Sequence, residues 1–301
     1  MADAIVHIGF NKCGSTAIQK WLADSIPDLK RQGVFFQRTD PRPDVVCTNP
    51  HLSLLAYTLA DQDAFAHPVH DVLGAPPGDR AAQDRVAMAF REKIETQAAE
   101  MPGRIFVFSC ELLTARVLGD RPIAALVDWF RSVFVRVRAI VYIRRPEPWL
   151  VSLFGHEKLR DATQETLSDF VLRIRTASFA SSLQSWNRAL GPDLIDVRLF
   201  QEKWLSGTGL IADFVEALKV PGLLSGSDRS LINTGFQSTG RGLRSLISAA
   251  LGRGKQRPSL SPDVSQAVRS ANADDMDWIE NTYFSADRDR FRGWLNATQE
   301  T

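Results

Sequence analysis

Three short segments concentrate the residues whose types and spacing could do chemistry. The first is "IVHIGFNKCGSTAIQKWL", Ile5 to Leu22, in which an apolar run meets a turn bounded by Gly9 and Gly14. That turn holds Asn11, Lys12 and Cys13, and Ser15 and Thr16 then open an amphipathic segment. A strand that ends in such a turn and enters a helix presents free backbone N–H groups, backed by the positive end of the helix dipole. The chemistry implied is anion binding, and phosphate fits it best. In the second segment, the run Val135–Ile143 ends at Arg144, and Ser152 follows eight positions later. A guanidinium at a strand end and a hydroxyl on the next helix can converge on one phosphate, the guanidinium giving a bidentate contact. Pro146 or Pro148 begins that helix, which puts Ser152 about two turns along it. In the third segment, "SCELL", Glu111 follows the apolar run that ends at Ser109 and should reach the same rim.

The turn at Lys12 has half of a nucleotide-binding pattern. Gly9 and Gly14 have the separation of G-x-x-x-x-G-K-[ST], but Ser15 stands at the lysine position, and the lysine has moved forward to Lys12. The plain alternative is a serine-capped helix after a tight turn. Arg145 competes with Arg144 for the second anion contact, one residue off. The alternative there is a surface arginine pair with Ser152 merely exposed.

These residues need elements that bring strand ends together. Apolar runs predict strands at Ile5–Phe10, Val34–Phe36, Arg104–Ser109, Val135–Ile143 and Leu194–Leu199. Helical spacing predicts helices beginning at Ser15 and over His51–Leu59, Arg80–Met101, Ile123–Phe130, Phe170–Leu190 and Trp204–Leu218. Four more are expected at Gly242–Leu251, Pro262–Ala271, Asp275–Tyr283 and Asp287–Ala297. Strands alternating with helices predict a three-layer α/β/α fold with a central parallel sheet covered on both faces. No linker or repeat interrupts the chain, so residues 1–301 read as a single domain with a helical C-terminal third packed against the sheet. In such sheets ligands sit at the carboxyl ends of the strands, where all three segments fall.

Composition sets the outer bounds. Hydrophobic residues make up 44% of the 301 and charged ones 24%, the balance of an ordinary globular protein. A net charge of +1 recruits neither nucleic acid nor a membrane surface, so any anion site must be local. No apolar run is long enough to span a bilayer, which predicts no stable membrane insertion. Asp3 sits where a secretory signal would be basic, and Cys13, Cys47 and Cys110 are odd in number and scattered. Both point to a reducing, cytoplasmic location without a disulfide framework. No metal-ligand spacing is visible among the cysteines and histidines.

The segment "NKCGST" after a strand resembles the 5′-phosphosulfate loop of sulfotransferases that use 3′-phosphoadenylyl sulfate (PAPS). Their usual pattern is Lys-[Ser/Thr/Ala]-Gly-[Ser/Thr]-[Ser/Thr]; Cys13 departs from it at a position that contributes mainly backbone. Arg144-x7-Ser152 resembles the 3′-phosphate site of the same family. Weaker likenesses to the bacterial members run through "SFASSLQSWNRALGPDLIDVRLF" and "WIENTYFSADRDRF". The resemblance implies the P-loop-containing nucleotide-hydrolase-like fold of these enzymes. It also implies sulfuryl transfer from PAPS to a hydroxyl, with PAP (adenosine 3′,5′-bisphosphate) as product and no metal required. Asn11, Lys12, Cys13, Gly14, Ser15, Thr16, Arg144 and Ser152 would bind the donor, and Lys12 would stabilise the transferred group and the leaving phosphate. A small-molecule or glycan acceptor, of carbohydrate or glycolipid type, is implied by resemblance only; nothing matches residues 40–103.

Transfer to a hydroxyl also needs a general base. The resemblance implies a His or Glu, and Glu111 is the first candidate; otherwise it caps or salt-bridges the next segment. His51 is the rival base, and Ser109 could orient Glu111 or touch the donor. His7 reads as a core residue, His156 as cleft-lining or solvent-facing, and His70 with Asp71 as part of a loop. The stretch from Arg241 to Arg257 has five basic residues and no acidic one; its default reading is a solvated helix face. The rival functions are a P-loop small-molecule or nucleoside kinase and a non-catalytic nucleotide-binding protein of the same fold.

Overall fold

The run Ala-Asp-Ala-Ile-Val-His forms β1 (Ala2–His7), the central strand of a parallel sheet. A computed structural model describes residues 1–36, 79–114, 119–159, 163–205, 209–220, 223 and 259–297. Among these residues the sheet has β2 (Val34–Phe35), β3 (Ile105–Ser109), β4 (Phe134–Ile143) and β5 (Ile195–Leu199) beside β1. Their order is β2-β3-β1-β4-β5, and every pairing is parallel. His7 lies level with Ser109 on one side and Ile140 on the other. The α/β/α expectation is the architecture found.

One face of the sheet is covered by α1 (Ser15–Asp24) and α8 (Leu210–Leu218), which pack together through Trp21 and Phe214. Beside α1, α2 (Ile26–Arg31) leads into β2. The other face is covered by α4 (Asp120–Val133) and α7 (Phe179–Leu190), with α3 (Arg80–Glu100) against α4 through Phe90 and Trp129. There Phe106, Phe108, Phe130 and Phe134 make a continuous aromatic cluster. The chain leaves β1 toward the first face, whereas it leaves β3 and β4 toward the second. A crevice at the carboxyl end of β1, between those neighbours, is the geometric result.

After β4 come α5 (Pro146–Leu159) and α6 (Leu167–Ile174). Phe170–Leu190 is largely helical as expected, with a break between α6 and α7 where Arg175 (φ 54°) and Ser178 (φ 52°) have positive φ. Asn272 holds that break, accepting from the Ala177 N–H (2.9 Å) and donating to the Arg175 carbonyl (2.8 Å). The helix expected over Trp204–Leu218 is a short 3-10 turn (Glu202–Trp204) followed by α8.

The C-terminal helices are α9 (Pro262–Ala271), α10 (Ala273–Tyr283) and α11 (Arg288–Leu295). α9 packs chiefly on α5 and α6 and α10 on α7, as an outer layer and not on the sheet as the sequence had suggested, while α11 meets Trp204 and Glu280. One hydrophobic core nonetheless runs from Ala2 to Trp294. No described helix is long and apolar enough to cross a membrane.

Candidate functional site

The turn after β1 is built under strong steric demand. Gly14 (φ 88°) precedes α1, and a Cβ there would lie 2.4 Å from Leu210 Cδ2 and 2.8 Å from Phe200 Cε2. A Cβ on Gly9 would lie 2.6 Å from His7 Nε2 and 2.9 Å from Ser15 Oγ. Both glycines of the sequence motif are therefore required by close approach. Lys12 itself is left-handed, with φ 61°. A non-glycine residue in that region costs on the order of 1 kcal/mol and is held only by its surroundings.

Those surroundings reach in from three strand exits. From β4, Arg144 Nη1 donates to the Lys12 carbonyl at 3.3 Å, and its guanidinium lies 5.5 Å from the Phe200 ring centroid beyond β5. From β3, Thr114 Oγ1 donates to the Gly9 carbonyl (3.2 Å); Thr114 closes the 3-10 turn Glu111–Thr114. From α5, Trp149 Nε1 is shared between the Asn11 carbonyl (3.0 Å) and Asn11 Oδ1 (3.2 Å). Phe10 anchors the turn below, its ring 4.6 Å from Phe179, which also meets Trp149 at 5.6 Å.

The thiol of Cys13 reports the local electrostatics. Burial pushes it up to about 12; the Arg144 guanidinium opposes that shift, and the Glu111 carboxylate adds to it. Both charged groups thus act on one atom of the turn. Underneath, His7 is fully buried, its Nδ1 2.8 Å from Ser109 Oγ, and burial lowers its pKa to about 3, so the ring is neutral. Its Nε2 has no hydrogen-bond partner among the described residues.

The candidate residues from the sequence divide as follows. Lys12, Cys13, Gly14, Ser15, Thr16, Asn11, Arg144 and Glu111 gather at one rim. Ser15 is buried and donates its hydroxyl to the Phe10 carbonyl (3.1 Å), so that donor braces the turn. Thr16 and Asn11 are exposed, and Lys12, Arg144 and Glu111 are half-buried. Ser152 stands half-buried on α5, in its second turn, and His156 follows one turn later. Ser109 is buried against His7. His51, His70, Asp71, Cys47 and the basic stretch 241–257 lie outside the described residues. Sequence reasoning missed Trp149 and Thr114, which fix the turn from outside it. Only the position of Trp149, five residues after Arg144, hinted at its part.

This arrangement suits an anion. The N-terminus of α1 has no side-chain cap and no acidic residue in its first turn, and Lys12 and Arg144 flank it. Among the described residues no cluster of three or more His, Cys, Asp or Glu is placed to hold a metal ion.

No family model matches the chain, and no curated protein matches it. Among solved structures it is similar to a sulfotransferase from Alicyclobacillus acidocaldarius, at 12% identity and a TM-score of 0.45. That match covers 93% of this chain and 94% of the other. A sulfotransferase domain from the curacin biosynthetic pathway is similar at 12% identity and a TM-score of 0.42, covering 91% and 98%. Likeness at this level carries no function, so what the protein does has to be read from its own residues.

Proposed function

We propose that residues 1–301 form one sulfotransferase domain that moves a sulfuryl group from PAPS to a hydroxyl, and that the protein works in the cytoplasm. The acceptor class that goes with this reading is a carbohydrate or glycolipid-type molecule. The observation that carries the proposal is the hydrogen bond from Arg144 to the Lys12 carbonyl. It supports a single cleft in which the turn takes the 5′ end of a bisphosphorylated adenosine and the β4 exit takes the 3′ end.

In this reading the donor supplies the sulfuryl group. The amides from Cys13 to Thr16 hold the 5′-phosphosulfate at the positive end of α1. The ammonium of Lys12 stabilises charge on the transferred group and on the phosphate oxygen it leaves. Arg144 and Ser152 bind the 3′-phosphate, which distinguishes PAPS from ATP. Glu111 takes the acceptor's hydroxyl proton as the new S–O bond forms and the bond to the 5′-phosphate breaks; His51 is the alternative base. The shifted lysine argues against a kinase, whose lysine follows the second glycine.

PAP should raise the melting temperature without Mg²⁺, whereas Mg·ATP should not. Sulfate transfer from labelled PAPS should disappear in Lys12→Ala. Stabilisation by Mg·ATP alone would favour the kinase. Tight PAP binding without transfer to a broad hydroxyl panel would favour a non-catalytic nucleotide-binding protein.

A further inference from the structure

Arg144 has a neighbour of the same type that leaves the strand the other way. Arg145 is buried, and its Nη1 donates to the carbonyl of Ala297, just beyond α11. Two residues further on, Glu147 is buried in the first turn of α5 and accepts from Arg269 Nε of α9 at 2.6 Å. Its other oxygen, Oε2, has no hydrogen-bond partner among the described residues. The two residues flanking Pro146 are thus tied to the start and to the end of the C-terminal helical layer. Arg144, immediately before them, meets the turn through a long hydrogen bond (3.3 Å) and a ring at 5.5 Å. The ties of its neighbours each end in a buried side chain, Arg145 or Glu147, and Pro146 makes the strand-to-helix turn stiff. The backbone of Arg144 is thus held on one side by the sheet, where the Ile143 carbonyl accepts from the Phe200 N–H at 2.7 Å, and on the other by these two ties.

We propose that Arg145, Glu147 and Arg269 are positioning residues: they clamp α9–α11 to the β4–α5 turn and thereby aim Arg144 at the 3′-phosphate of the donor. The inference rests on the donor reading above and deepens it. The C-terminal layer, remote from the Lys12 turn, becomes a determinant of nucleotide selectivity. Removing Arg269 strands a buried carboxylate, and the first turn of α5 shifts to rehydrate it.

PAP and AMP differ only in the 3′-phosphate, so the ratio of their dissociation constants isolates this effect. In Arg269→Ala and Arg145→Met, PAP binding should weaken about tenfold while AMP changes less than about twofold. Arg269→Lys, which keeps the charge, should recover most of the PAP affinity. Glu147→Gln removes the buried charge at constant shape, and serves if Arg269→Ala does not melt cooperatively; it should show the same selective loss. Equal weakening of PAP and AMP in the folded variants, or no weakening of either, overturns the inference alone. A wild-type protein that binds AMP and PAP equally overturns the donor reading and this inference with it.

Discussion

The two faces of the central sheet are made of different material. On the side of α4 and α7, Phe106, Phe108, Phe130 and Phe134 touch one another with no polar group among them. Toward α8 the sheet presents buried and half-buried polar groups, each with a partner. Tyr142 donates to Asp213 Oδ1 at 2.6 Å, and Arg198 pairs with both Asp213 and, at 3.2 Å, Asp196. Arg138 Nη1 donates to the Ala217 carbonyl (2.8 Å), and His7 leans on Ser109. Hydrocarbon packing asks mainly for volume, whereas a buried hydrogen-bond network asks for partners in fixed directions. The polar face is the one that carries the Lys12 turn: His7 lies under Gly9, and α8 presses Leu210 against Gly14. Direction is supplied on the side where a ligand would be aimed, and bulk on the other.

The largest effect that tests this contrast belongs to Gly14→Ala. The new methyl would strike Leu210 and Phe200 in a backbone conformation that already disfavours it, so PAP-induced stabilisation should vanish, as read by a thermal melt with and without PAP. Next comes a matched pair of conservative changes. Asp213→Asn keeps shape but removes the charge opposite Arg198 and should destabilise by about 3 kcal/mol. Phe108→Leu nearly conserves volume and should cost about 1 kcal/mol. Denaturant melts giving equal losses would remove the distinction between the faces.

A pH slope tests the polar face on its own, gradually rather than in one step. The unfolded chain protonates His7 below about 6.5, while the folded chain resists protonation until about 3. Stability attached to a neutral His7 is therefore complete above the upper value and falls with pH across that window, by about 1 kcal/mol per unit. His7→Gln should flatten the acid limb of stability against pH between 6 and 4; an unchanged slope would mean that the ring is not sealed under the turn.

The strands were legible because parallel, doubly covered strands are nearly continuous apolar runs, and Ile5–Phe10, Arg104–Ser109 and Val135–Ile143 say so directly. The Gly9–Gly14 spacing and the Arg144-x7-Ser152 interval were likewise local. What stayed hidden depends on contacts far apart in the chain. Nothing near Asn11 announces that Trp149 will hold it, since the two are 138 residues apart. The break between α6 and α7 was also invisible, because Asn272, 97 residues beyond Arg175, holds a conformation that local propensity opposes. Arg145 looked like a rival for the anion contact; Ala297, 152 residues away, gives it a different partner.

The backward-handed backbone at Lys12 sets two kinds of fitness against each other at one position. Glycine or asparagine would sit there with less strain, so resistance to heat favours losing the lysine, while holding a negatively charged guest favours keeping it. Hardening the molecule at that residue would therefore remove the ammonium on which the proposed donor contact depends.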